Sequence, residues 1–188
     1  MNSYTLDLTP VIKLTHEQFY QLCIANRDLK LERTPTGDLI LMSPVGGESG
    51  NLEADLNAAV WNWNRYTRLG LVFSSSTIFN LPNGGDRSPD VAWVKLEQWQ
   101  ALTPDEQEKF PPICPDFVIE LRSRTDKLPP LQAKMQEYLN SGLGLGWLIN
   151  PQDEQVEIYR QGQAVKIQSF PVRLSGQEVL PEFVLELP

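Results

Sequence analysis

The sequence predicts a mixed α/β fold: a central mixed β-sheet flanked by helices, with an N-terminal helix and β-hairpin and a C-terminal β-hairpin. Two observations predict it. Apolar residues recur at helical spacing in two stretches, Leu52 to Tyr66 and Leu131 to Leu139. Around them lie short apolar runs with strand character, "LVFSSSTIFNLP", "SPDVAWV", "CPDFVIELRSR" and "GWLIN". Three strands after the long helix, then a helix and another strand, imply a mixed sheet.

Each element has its own signal. "THEQFYQLCIAN" opens on a capping box, Thr15 with Gln18, and puts Phe19, Leu22 and Cys23 on one face. "LKLERTPTGDLILM" is a hairpin around Pro35-Thr36-Gly37-Asp38. "SPVGGESGN" reads as a glycine-rich loop leading into the long helix, whose core stripe is Leu52, Leu56, Ala59, Val60, Trp63 and Tyr66, with Gly70 at its end. "LEQWQALTPDEQEKFPPICP" is a polar excursion holding at most a short helix after Thr103. In "LPPLQAKMQEYLNSG", Pro129 and Pro130 suit a first helical turn, and Leu131, Met135, Tyr138 and Leu139 form the stripe. "VEIYRQGQAVKIQSF" is a hairpin around Gln161-Gly162. Neither a repeat nor a composition break divides the chain, so residues 1–188 are expected to form a single domain.

Sixteen basic against 24 acidic residues leave a formal net charge of −8, which argues against a broad phosphate-binding surface but permits a local contact. The two cysteines, Cys23 and Cys114, form neither a disulfide framework nor a CxxC metal motif, and imply a reducing compartment. The first residues lack a charged leader followed by an apolar core, and no apolar run is long enough for a membrane span. A soluble, cytoplasmic protein with no membrane partner is expected.

The chemistry centres on Glu120. Period-two alternation puts Phe117, Ile119 and Leu121 on one strand face, and Asp116, Val118, Glu120 and Arg122 on the other. A carboxylate amid an apolar strand must be paired, protonated or metal-bound. An ion pair with Arg122 or Lys134 is one solution. Asp90, in "RSPDVAWV", is either a turn residue or a partner for Glu120. Two such acids suit Mg²⁺ or Mn²⁺, which take one or two carboxylates and leave other positions to water or phosphate. His16, the only histidine, sits in a helix's first turn and reads as a solvated surface residue, which excludes a histidine-based triad. Asp116 lies at the strand's start, about 13 Å from Glu120 along an extended chain.

"SPVGGESGN", "DRSPDVAWV", "PDFVIELRS", "KMQEYLNSG" and "GWLINP", in that order and spacing, resemble the bacterial Uma-type restriction endonuclease family within the PD-(D/E)XK nuclease superfamily. The resemblance covers nearly the whole chain. It implies a restriction-endonuclease-like core, with Asp90 as the central metal-binding aspartate and Glu120 as the acid of the acid-x-lysine motif. It further implies the Leu121 backbone carbonyl as a ligand, and Glu48 as the acid at the head of the long helix, with Glu53 a rival. The sequence departs from the pattern at Arg122, where the motif has lysine. Arginine keeps its proton, so Arg122 would orient water or stabilise charge rather than act as a base. Lys134, on the following helix, is a candidate migrated replacement, and Gln132 is a candidate hydrogen-bonding neighbour. "SRTDKLP" also departs, adding Arg124 and Lys127.

The expected activity is therefore divalent-metal-dependent hydrolysis of phosphodiester bonds in DNA, with Asp90, Glu120, Arg122, Lys134 and Glu48 at the site. Two alternatives stand beside it: a non-catalytic binding or assembly module of the same fold, and a hydrolase of a small phosphodiester. A homodimer is expected, with "VFSSSTIF" or "EFVLEL" as its pairing surface.

Overall fold

The most apolar strands lie side by side in a six-stranded sheet in the computed structural model, which describes residues 3–8 and 11–188. The chain begins β1 (Ser3–Leu6), α1 (His16–Ala25), β2 (Lys30–Arg33), β3 (Leu39–Met42) and α2 (Gly47–Thr67). It continues β4 (Gly70–Ser74), β5 (Phe79–Asn80), β6 (Asp86–Arg87), β7 (Val91–Lys95), α3 (Leu96–Gln100) and α4 (Pro104–Glu108). Next come β8 (Phe117–Leu121), α5 (Leu128–Asn140), β9 (Leu145–Asn150) and β10 (Gln155–Arg160). The last strands are β11 (Lys166–Ser169), β12 (Val172–Ser175) and β13 (Val184–Leu187).

The large sheet has the order β11-β10-β9-β8-β7-β4. Only β8 and β9 run parallel, joined by α5 as a crossover helix, so the sheet is mixed as expected. Alternation sends Phe117, Ile119 and Leu121 to one face, where α2 packs with Leu56 and Val60 and the β12–β13 hairpin closes the layer. Val118 and Leu148 point to the opposite face, where α5 packs with Met135, Tyr138 and Leu139. A second sheet, β1-β3-β2-β6-β5, is built from β1, the β2–β3 hairpin and the two short strands that precede β7.

Several boundaries differ from the sequence reading. The α2 helix takes in Gly47 and Gly50 and starts five residues before Leu52. It ends at Arg68, whose backbone is left-handed, rather than at Gly70. Gly70 instead opens β4 at a close approach: a Cβ there would come within 2.1 Å of the Val94 carbonyl oxygen and 2.6 Å of the Trp93 ring. Tyr66, read as part of the core stripe, is 86% exposed. "LVFSSSTIFNLP" divides between the two sheets, as β4 and β5. "EFVLEL" holds β13, which pairs with β12 in a two-stranded sheet, and β4 is an edge of the large sheet. The Thr15–Gln18 capping box is complete, and Thr103 caps α4 in the same way.

Gly70→Ala tests this packing directly. Overfilling a site bounded by backbone costs roughly 1–3 kcal/mol or more, so urea denaturation should show a loss in that range; a loss below about 0.5 kcal/mol would contradict the close approach.

Candidate active site

The β7–β8 pairing positions two carboxylates. Val91 faces Ile119 across the antiparallel pair, so the residues one step outward, Asp90 and Glu120, lie opposite each other. Both are buried on the α5 face. The Leu121 amide donates to Asp90 Oδ2 at 2.8 Å, which fixes the aspartate to the neighbouring strand.

Helix α5 carries Lys134 onto these acids. Its Nζ lies 2.8 Å from Glu120 Oε1 and 2.8 Å from Glu32 Oε1, and donates to the Ser88 carbonyl at 3.3 Å. Tyr138, one turn further along, donates to Glu120 Oε1 at 3.0 Å. Glu32, from β2, also accepts from the Ser88 amide at 2.9 Å and from Arg87 Nη1 at 3.1 Å, and Arg87 in turn pairs with Glu137 of α5. The result is a buried chain of alternating charge from Glu120 through Lys134, Glu32 and Arg87 to Glu137.

The electrostatics follow from burial against pairing. Burial pushes Glu120 up to about 7, with Asp90 and Glu32 adding to the rise and Lys134 opposing it. Asp90 is likewise raised by burial, against the pull of Lys134 and the Leu121 amide. Burial alone would lower Lys134, but Glu120, Glu32 and Asp90 outweigh it and raise its pKa, so the amine is an ammonium. Glu32 is held below the usual range despite its burial, because Lys134 and Arg87 both favour its charged form.

These groups line a cavity of about 260 Å³. Its wall carries six carboxylates, those of Glu32, Glu53, Asp90, Glu120, Asp126 and Glu137, against the two cations Arg87 and Lys134. Among the described residues no three His, Cys, Asp or Glu side chains converge as a ready-made ligand set. The fit to a hard cation rests instead on two carboxylates. Glu120 Oε1 and Asp90 Oδ2 are engaged, while Glu120 Oε2 and Asp90 Oδ1 take no hydrogen bond from any described residue. Two oxygens on one cavity wall suit Mg²⁺ or Mn²⁺, which keep several waters.

The structure brings together Asp90, Glu120, Leu121, Lys134 and Glu53, but not Arg122, Glu48 or Gln132. Arg122 lies beyond the end of β8, and its side chain turns to Asp153 (2.8 Å), Asn150 (3.1 Å) and the Asp126 carbonyl (3.2 Å). It forms no part of the cavity wall: its backbone keeps the pairing with β9, the Arg122 amide donating to the Ile149 carbonyl, but Asn150 and Asp153 hold the guanidinium away from the cavity. Glu48 is exposed in the first turn of α2 and opens onto a separate depression with Arg124. Its rival Glu53 lines the cavity. Gln132 bonds Glu157 at 2.7 Å instead, and Asp116 caps the far end of β7 through the Lys95 amide. His16 is not merely solvated: its Nδ1 lies 2.7 Å from the buried Asp86, which also holds Arg33. Glu32 was missed, although it carries the signal that marked Glu120, an acid within a short strand.

A mixed sheet flanked by helices, with α5 crossing over between the parallel strands β8 and β9, is a restriction-endonuclease-like fold. A putative nuclease of the DUF820 group from Anabaena variabilis ATCC 29413 has a similar structure, with a TM-score of 0.73 at 18% identity over 83% of this chain and 86% of that one. The family Uma2, described as putative restriction endonuclease, matches residues 16–188, and the chain belongs to that family. No curated protein matches it in sequence. No helix among the described residues is long and apolar enough to cross a membrane.

The raised Glu120 carboxyl has a measurable consequence. Its folded pKa of about 7 exceeds the ordinary 4.5, so between those values the folded state binds more protons than the unfolded one, and stability falls as pH rises. In metal-free buffer, Glu120→Gln should therefore gain stability over the wild type from about pH 4.5 to about pH 7, by on the order of a few kcal/mol. A pH-independent difference in urea denaturation would contradict this.

Proposed function

We propose that the protein is a divalent-metal-dependent phosphodiesterase acting on DNA. The observation that carries the reading is the convergence of Asp90, Glu120 and the Lys134 ammonium on one cavity wall. Asp90, Glu120 and the Leu121 carbonyl would hold Mg²⁺ or Mn²⁺, with Glu53, rather than Glu48, as the acid from α2. When bound, such a cation lowers the pKa of water and neutralises charge on phosphate.

The protein's own groups do the remaining work. Asp90 is fixed by the Leu121 amide, and Glu120 by Tyr138. Lys134 places a fixed positive charge where a phosphate would enter. This supports transition-state charge stabilisation by Lys134, since its raised pKa disfavours a general-base role. Arg122, held by Asp153 and Asn150, is assigned no role in the reaction. The net charge of −8 implies that DNA is gripped only locally. A homodimer presenting two such sites belongs to the same proposal. The acidic wall and small volume of the cavity favour one second reading, hydrolysis of a small phosphodiester.

Plasmid DNA with millimolar Mg²⁺ or Mn²⁺ tests the proposal. The wild type should nick it, while Asp90→Asn and Glu120→Gln should each lose at least about 100-fold, the scale of several kcal/mol of charge stabilisation. Arg122→Met should leave the rate nearly unchanged. Hydrolysis of bis(p-nitrophenyl) phosphate without DNA cleavage would favour the small-substrate reading, and inertness toward both would sink the enzymatic one.

A further inference from the structure

We propose that Glu32 is a positioning residue that holds the Lys134 ammonium in the site; its role in the reaction rests on the phosphodiesterase reading above.

Lys134 reaches the cavity on a flexible four-carbon stem, and packing alone does not fix an ammonium. Its three donors are matched to three acceptors: Glu120 Oε1 from β8, Glu32 Oε1 from β2 and the Ser88 carbonyl two residues before Asp90. Of these, Glu120 is itself a proposed cation ligand. Any strength that Glu120 diverts to a bound ligand is lost to Lys134. Glu32 faces no such competition. Its Oε1 takes Lys134 and the Ser88 amide, and its Oε2 takes Arg87 Nη1. Arg87 is in turn locked to Glu137, one turn from Lys134 on the same helix. Glu32 thus grips α5 directly through Lys134 and again through Arg87. It belongs to the second sheet, so it ties the N-terminal hairpin to the site. It also balances part of the lysine's charge, which would otherwise repel a cation at Asp90 and Glu120.

Every partner of the Glu32 carboxylate is a donor. An amide at this position must therefore turn its own NH₂ toward Arg87 or toward Lys134 and Ser88, whichever way it flips. Glu32→Gln is close in shape yet cannot satisfy the set.

The test is a double-mutant cycle with Lys134→Met, read in steady-state cleavage of plasmid DNA. Glu32→Gln should lower kcat by roughly 10- to 100-fold, as loss of a partner that orients a site ligand does, with KM little changed. In the Lys134→Met background the same substitution should cost almost nothing further. An equal loss in both backgrounds would show that Glu32 acts on the fold rather than through Lys134, and would overturn the proposal. Crystal structures of Glu32→Gln and Glu32→Ala address the positioning claim without any reaction. In Glu32→Ala, Lys134 Nζ should leave the Ser88 carbonyl and move onto Glu120 or Asp90. An ammonium that keeps its place there overturns the proposal even if the wild type cleaves nothing, and a displaced one upholds the positioning while an inert wild type refutes only the enzymatic reading. If the alanine variant does not fold, the glutamine variant is read for the same displacement.

Discussion

A lysine ammonium only 7% exposed, held between Glu120 and Glu32, is the interaction on which the rest of the site depends. Taking such a charge out of water costs several kcal/mol, and only close, well-directed partners offset it. Here the offset is mutual. Lys134 makes it tolerable to bury Asp90, Glu120 and Glu32 side by side, and the acids keep the amine charged. Such clusters are weak devices for stability, since well-packed apolar residues often do as well or better. This one instead keeps polar oxygens on the wall of an otherwise apolar core.

The surrounding fold supplies rigidity. Phe117, Ile119 and Leu121 anchor β8 from below, so Glu120 cannot tilt away. Met135, Tyr138 and Leu139 anchor α5 from above, so Lys134 starts from a fixed backbone. The Leu121 amide ties Asp90 across the strand pair. The second sheet closes the far wall through Glu32 and Arg87. Both layers are needed: the large sheet brings the acids together, and the small one holds the amine.

Much of this was legible in the sequence. Period two alone put Val118 and Glu120 on one face and Phe117, Ile119 and Leu121 on the other. The flank of a helical stripe pointed to Lys134. Arg122 keeps the strand pairing that period two implies, but Asn150 and Asp153, 28 and 31 residues further on, draw its guanidinium away from the cavity. Glu48 and Glu53 differ by little more than one helical turn, and only the real start of α2 at Gly47 decides which of them meets the cavity. Glu32 carried the same local signal as Glu120, but Arg87 and the His16–Asp86–Arg33 cluster escaped because their meaning lies in contacts across 50 to 70 residues of chain. Local periodicity contains no information about such partners.

The central claim is that Asp90 and Glu120 together hold a divalent cation against the Lys134 ammonium. Anomalous diffraction from crystals soaked in Mn²⁺ tests it most directly. The account predicts a single strong peak bonded to oxygens of both carboxylates, lost in Glu120→Gln. A peak elsewhere, or none at millimolar Mn²⁺ with both side chains ordered as described, would contradict it.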